Sequence, residues 1–464
     1  MSRRSAIVSL VFAAAACTVG PDYEPASIAL GEQWLGATDT AEVDIAWWTR
    51  FNDPLLSELV ASAMMGNKDL AEAEARLREA RANRDAVLGR AEPQASAVAS
   101  ITQNRLSENG QLPVGQVPGL SRNLAIFDSG FDASWEIDLW GRTRRAAQGA
   151  QARTQAAEEA RRGVAIQVVA EVVRSYIDLR AAQQLHANAS ADAAAQAQIA
   201  RQALDRMHAG VASRFDVSRA ETETRSAAAA IPGLESDASA AAFRLALLTG
   251  QPPEALYDRL RVPQPLPQTT GAEVATGLRS ELLRRRPDVR QAERELAAAT
   301  ADVGVATAEL FPRVTLLGGG GFEARSLSGL VAGDSLRFGV GPILHWPIFS
   351  GGRIRAGIRA ADARAEAALA RYEKAIVAAL SDGETAINRY ASAIQSAAMR
   401  EDALAAATQT LDIARRRYRA GEDDLTALLQ AQRSWRAAER SSVQAHAAEL
   451  QQLTALYKAL GGGW

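Results

Sequence analysis

Cysteine is almost absent from this chain: Cys17 stands alone among 464 residues, which excludes any internal disulfide. Histidine is scarce as well. His186, His208, His345 and His446 have no Cys or carboxylate grouping at metal-ligand spacing around them, so each reads as a helix-surface or wall residue. The glycine run Gly318 to Gly321 is not followed by the Lys-Ser/Thr of a phosphate loop and lies inside an alternating strand, where close packing or strand bending accounts for it. No nucleophile stands with a base and no nucleotide or cofactor motif occurs, so the expectation is a non-enzyme without cofactor. Excess charge is missing too: a formal net charge of −2 argues against nucleic acid as the main partner. Proline is absent from Thr143 to Ala209, leaving an Ala-rich run of 67 residues that can form one helix about 100 Å long.

What the chain does contain is centred on Phe127 to Arg142. Phe127, Ser129, Phe131, Ala133, Trp135, Ile137 and Leu139 alternate with Asp128, Gly130, Asp132, Ser134, Glu136 and Asp138, the period of a strand with one oily and one wet face. The strand runs directly into the long helix. The pattern then recurs. Trp135, Ile137, Gly141 and Arg142 return 211 positions later as Trp346, Ile348, Gly352 and Arg353, and Arg206, Ala209 and Gly210 return as Arg417, Ala420 and Gly421. Upstream the offset is 219: Asp69, Ala73, Glu74, Leu77 and Pro93 match Asp288, Ala292, Glu293, Leu296 and Pro312. The chain is an internal duplication. The eight-residue difference between the offsets places an insertion in Asn104 to Arg122, rich in Gly and Pro, as an exposed hairpin loop.

In order, residues 1–16 read as a secretory signal, with Arg3 and Arg4 before the apolar run Ala6 to Ala16, which is too short to span a bilayer. Residues 17–54 read as an irregular segment packed on the outside. Residues 55–250 form the first repeat, 251–271 a Pro-rich linker with no helix, 272–460 the second repeat and 461–464 a tail. Each repeat reads as a helix ending at Pro93 or Pro312, a strand, a hairpin loop, a returning strand (Leu124 to Trp140, or Leu336 to Phe349), a long helix, a turn at Gly210 or Gly421, and a further helix. Trp135 and Trp346 fall on the apolar strand face near the helix end, as membrane-interface anchors do. Asp128, Asp132, Glu136 and Asp138 fall on the polar face, which in a barrel is the lumen. They can simply solvate an aqueous wall, or they can make the bore favour cations.

Four strands cannot seal themselves in lipid, because each backbone group left unmatched at an edge costs several kcal/mol in hydrocarbon. Copies of the chain must pool their strands; eight, twelve or sixteen strands follow from two, three or four chains. The Ala-rich helices make a parallel demand, with Val169, Val173 and Tyr176 among their larger contacts.

Several ordered motifs resemble one family. They are Cys17-Thr-Val-Gly-Pro-Asp-Tyr23, Trp47-Trp48-Thr-Arg-Phe51-Asn-Asp53-Pro54, Trp135-Glu-Ile-Asp-Leu-Trp-Gly-Arg142, Arg285-Arg286-Pro287-Asp288-Val289, Phe311-Pro312 and Tyr418-Arg-Ala-Gly421. They are similar to the TolC-like outer-membrane efflux factors, in the NodT-type lipoprotein branch that serves resistance-nodulation-division pumps. The resemblance implies a mainly α fold with a small membrane β-barrel part. Its homotrimer would have one twelve-stranded outer-membrane barrel continuous with a periplasmic α-barrel tunnel. It implies that Cys17 is a lipidated first residue, that the partners are a periplasmic adaptor, an inner-membrane pump and outer-membrane lipid, and that the function is passive export. It also implies a periplasmic gate at the helix turns. Asp216 and Tyr418 match participating residue types there, and a Tyr hydroxyl bonded to a carboxylate is worth roughly 1.5–3 kcal/mol. Where some relatives narrow the bore with aspartates, this chain has Ala427 and Gln430. Glu422, Asp423 and Asp424 either take over that constriction or favour a helix N-terminus by capping. A duct for protein secretion, a structural coiled-coil lipoprotein and the adaptor itself are the alternatives, the last two predicting no paired amphipathic strands.

Overall fold

The computed structural model describes residues 18–25, 34–35, 45–107, 121–269, 274 and 276–462. The signal segment, Cys17, residues 26–33 and 36–44 of the N-terminal segment, the centre of the first hairpin loop (108–120), residues 270–273 and 275 and the last two residues lie outside the described residues. The elements in chain order are α1 (Pro54–Gly66), α2 (Lys68–Gly89), β1 (Gln94–Arg105), β2 (Asn123–Ile137), α3 (Arg142–His208), α4 (Arg214–Ala229), α5 (Ile231–Leu248), α6 (Pro253–Leu260), α7 (Arg279–Arg285), α8 (Pro287–Ala308), β3 (Arg313–Ala324), β4 (Leu336–His345), α9 (Arg353–Ala420) and α10 (Leu425–Ala459). The fold is mainly helical, and α3 and α9 run unbroken for 67 and 68 residues.

Local chemistry corrects three boundaries. The helix expected from Pro54 to Glu92 breaks at Asn67, whose backbone turns extended (ψ 134) while its side chain caps the next helix through Leu70 N–H and donates to the Leu248 carbonyl. Its duplicate breaks before Pro287, because the proline ring pushes Arg286 out of helical conformation (ψ 117). The prolines of the linker do not exclude helix: Pro252 is the N-cap and Pro253 the first residue of α6, where a missing N–H costs nothing.

One compact unit gathers residues 18–25, 77–107, 121–156 and 292–372; the other gathers 34–35 and the described parts of 45–76, 157–291 and 373–462. Each draws matching pieces from both repeats.

In the first unit the four strands form one antiparallel sheet in the order β1-β2-β3-β4. Cross-strand partners share a face, so the register sorts the side chains. One face carries Ile101, Phe127, Phe131, Trp135, Leu316, Phe322, Phe338, Val340 and Leu344. Phe338 is 84% and Val340 76% exposed on it. The opposite face carries Ser96, Ser100, Thr102, Asp128, Asp132, Glu136, Thr315 and Arg337 among glycines, with Val98, Ile126, Leu317 and Ile343 interspersed. Both outer strands, β1 and β4, have an unpaired edge within the chain.

The duplication is kept to the residue. Gln94 plus 219 is Arg313 and Ser134 plus 211 is His345; Gln94 pairs with Ser134, and Arg313 with His345. The Trp135 indole donates to the Ala91 carbonyl at 2.8 Å, and Trp346 donates to Leu310, the equivalent carbonyl, at 3.1 Å. Gly141 and Gly352, at the equivalent entries to α3 and α9, both adopt positive φ (77 and 82), which only glycine takes without strain.

In the second unit the core is built on α3, where Val169, Val173 and Tyr176 are buried as expected, with Val172 and Ile177 beside them. The expectation that residues 17–54 merely lie on the outside is too weak. Trp47 is 1% exposed and stacks on Tyr457 with centroids 5.1 Å apart, and Trp34 donates to the Gly277 carbonyl.

The glycines of the sheet make a testable distinction. A Cβ at Gly321 would sit 2.4 Å from the Ser129 carbonyl oxygen, whereas one at Gly339 would meet open space. Gly321→Ala is therefore expected to cost roughly 1–3 kcal/mol, as overpacking does, and to lower the temperature at which the folded form is lost in a heat-series gel-shift assay; Gly339→Ala should leave it unchanged.

Candidate functional site

Two regions hold the residues singled out by the sequence. On the polar strand face, Arg337 of β4 reaches across the bare glycines to Asp128 of β2, with bonds of 2.9 and 2.8 Å from Nε and Nη2 to the two carboxylate oxygens. Glu136 is held by Arg142 of α3. Asp132 faces Ser96 and Gly319 on the neighbouring strands and remains exposed. The position of Asp138 needs correction: β2 ends at Ile137, and the Asp138 carboxylate instead accepts from the Arg144 backbone N–H in the first turn of α3. The four expected wall carboxylates thus divide into two neutralised by arginine, one helix cap and one exposed anion.

The second region comprises the helix turns. After α3 and after α9 the chain turns identically: Val211 N–H bonds Arg206 O and Gly210 N–H bonds Met207 O, as Glu422 N–H bonds Arg417 O and Gly421 N–H bonds Tyr418 O. Gly210 and Gly421 have φ 76 and 77, the left-handed residue that closes this type of helix C-terminus. The next helices are capped by equivalent residues, Ser213 and Asp424, which accept from Asp216 N–H and Ala427 N–H. Only the first copy is a full capping box, because Asp216 also accepts from the Ser213 backbone and hydroxyl.

This geometry changes the roles expected of the turn residues. Asp216 and Tyr418 are not bonded to each other within the chain. The Asp216 carboxylate belongs to its own helix start, and the Ser213 bonds hold its pKa below the ordinary carboxylate value. Tyr418 is buried in a cluster with Ile199, Val217, Leu411, Leu425 and Leu429, and its ring carries the Arg206 guanidinium at 4.9 Å. Asp424 is a helix cap. Glu422 and Asp423 lie against Arg417, at 3.8 and 3.0 Å.

Above the cluster, a polar chain links three helices: Gln196 bonds Gln432, and Arg436 bridges Asp192 of α3 and Glu223 of α4, at 3.1 Å to each. Arg433 joins Glu223 and lowers its pKa. Sequence reading missed Ser213, Arg206 and this network. Ser213-Arg-Phe-Asp216 carries the S-x-x-D capping spacing, and Arg206 recurs as Arg417, so signals for both were present; nothing local marks the network. Among the described residues no helix is long and apolar enough to cross a membrane, and no group of ligands could hold a metal ion.

A family model described as Outer membrane efflux protein matches residues 59–251 and 278–462, one segment for each repeat. The chain belongs to this family. It is similar to the pyoverdine export outer membrane protein OpmQ of Pseudomonas aeruginosa, with 33% identity covering 99% of this chain and 96% of that one. The toluene efflux pump outer membrane protein TtgC of Pseudomonas putida is 29% identical over 97% of this chain and 93% of its own length. Among solved structures, the outer-membrane channel OprN superposes with a TM-score of 0.87 at 37% identity, covering 97% of this chain and all of that one. The TolC-like fold, the outer-membrane location and the role of efflux channel component expected above follow from membership and these likenesses.

A depressed carboxyl gives stability that is complete above its unfolded value and is lost as pH falls through the folded one. The Asp216 cap should therefore hold through neutral pH and loosen only below roughly pH 4. Asp216→Ala is expected to cost about 0.3–1 kcal/mol, raising hydrogen exchange at the Ser213 amide, whose acceptor it removes, and abolishing this pH dependence.

Proposed function

We propose that three copies of this chain pool their strands into one twelve-stranded barrel in the outer membrane, through which solutes leave passively. The observation that carries this reading is the sheet itself: one face dominated by apolar side chains, several of them exposed, the other holding the carboxylates, hydroxyls and Arg337, and both edges open. Lipid fits the first face, water the second, and only further strands fit the edges. Trp135, on the apolar face near the end of β2, and Trp346, one residue beyond β4, which ends at His345 rather than at the expected Phe349, suit interfacial anchors, each half-exposed with its indole N–H already satisfied.

Lipidation at Cys17 is supported by its neighbours. Thr18 accepts from Arg144, Val19 N–H bonds the Trp140 carbonyl, and Arg145 donates to the carbonyls of Val19 and Gly20 and pairs with Asp22. The chain immediately after Cys17 is thus fastened where β2 passes into α3, close enough to the apolar band for an acyl group to enter the same membrane leaflet. A periplasmic adaptor would dock at the turns around Gly210 and Gly421 and a resistance-nodulation-division pump would supply the cargo. One relative is named for pyoverdine export and another for toluene efflux, which supports a duct that takes its specificity from the pump.

The closed state would rest on contacts at the turns: Tyr418 with Arg206, and Arg417 with Glu422 and Asp423, beside the caps of Asp216 and Asp424. The Tyr418 ring matters here more than its hydroxyl, since the cation sits over its face at a worth of about 0.5–2 kcal/mol. In planar bilayers Tyr418→Ala and Arg206→Ala should raise single-channel conductance, whereas Tyr418→Phe should leave it unchanged; unaltered conductance in both alanine variants contradicts the gate assignment. Absence of ion conductance from the purified wild-type oligomer would contradict the duct. The lumen is less anionic than a count of carboxylates suggests, because Arg337 neutralises Asp128. Arg337→Ala is therefore expected to shift the reversal potential in a KCl gradient towards the potassium value.

A further inference from the structure

The duplication fixes more than the fold of one chain. The pairing of β1 with β2, carried forward by 219 and 211 residues, reproduces the pairing of β3 with β4 residue for residue. The two hairpins are therefore equivalent in register. The seam between them, β2 with β3, is observed directly: Gly130 faces Gly321 and Ala133 faces Gly318. In a barrel built from equivalent hairpins, every seam repeats this register, because strand tilt and stagger must stay constant for the cylinder to close.

We propose that β4 of one chain pairs with β1 of a second copy in the register obtained by carrying β2–β3 forward 211 residues and β3 back 219. This rests on the shared-barrel reading and adds the residues that meet. Gly130 and Gly321 map to Gly341 and Thr102 of the partner subunit, and Ala133 and Gly318 map to Leu344 and Ala99 of the partner subunit. Thr102 pairs with Ile126 within its own chain and Gly341 with Leu317, so each offers its other edge. The register keeps the two faces of the sheet apart across the seam. It sets Gly341 and Thr102 together on the polar face and Leu344 and Ala99 together on the apolar face, and a slip of one residue would mix them. The exposure agrees as well: β1 is exposed at 11 of its 12 positions and β4 at 9 of 10, while the inner strands are mostly half-buried. The occupant is a second copy rather than another protein, since β1 and β4 complete one another's alternation and four strands per chain keep the ring antiparallel.

The test uses the full chain with paired cysteines, which Gly341 tolerates because a Cβ there meets open space. Cβ atoms of facing residues lie within disulfide reach. Oxidation in outer membranes of Gly341→Cys/Thr102→Cys, and separately of Leu344→Cys/Ala99→Cys, is expected to convert monomer into covalent oligomers on reducing-agent-free gels. The single-cysteine parents, which carry the native Cys17, should stay monomeric. Gly341→Cys/Ser100→Cys, shifted two residues with the face unchanged, should crosslink several-fold less. Preferential crosslinking of that shifted pair overturns the register while leaving the common barrel intact. Failure of all three pairs in protein that is folded and heat-stable overturns the barrel itself.

Discussion

Unpaired peptide groups at the edges of a sheet cannot be left in hydrocarbon, and the rest of this molecule answers that constraint. Each N–H or C=O without a partner there costs several kcal/mol, more than any single side-chain contact returns. β1 and β4 each expose such an edge on a sheet whose oily side bears Phe131, Phe338 and Val340. Association of copies is therefore built into the folding of the sheet. The polar face becomes a channel wall only when the ring is complete.

Duplication is an economical answer to the same constraint. A closed ring needs every seam to have one stagger, and repeating one helix-strand-strand-helix unit supplies equivalent seams. Its traces are exact in kind as well as position: indole donors on equivalent carbonyls, positive φ at Gly141 and Gly352, matched turns at Gly210 and Gly421, and caps at Ser213 and Asp424. Where the copies differ, the difference falls on the groups near the turns. Met207 in the first copy stands where Tyr418 does in the second, and Val211 where Glu422 does. The first turn offers an apolar tip and the second a charged one, so the two halves can share a backbone and still respond differently to a partner.

The legible part of the structure was whatever has a period. Alternation gave the strands and their faces, a fixed offset gave the repeat, and the long proline-free run gave α3. Breaks set by single residues were harder. Asn67 looks like one more helical position until its amide is seen reaching the Leu248 carbonyl, and Pro252-Pro253 looks like a helix breaker although proline at the first turn starts α6. Charge was the least legible. Parity puts Asp128 and Glu136 on the wet face, but their neutralisation depends on Arg337 and Arg142, one of them 209 residues away in sequence. The Asp192, Glu223 and Arg436 network likewise exists only because three helices converge.

The central claim is that the fold is complete only as a ring of identical chains. Its most direct measurement is the mass of the intact particle released from outer membranes into a mild detergent, by native mass spectrometry. A single species of three chains, with no folded single chain at equilibrium, is the predicted result. A stable, natively folded single subunit that keeps its four strands would contradict the account.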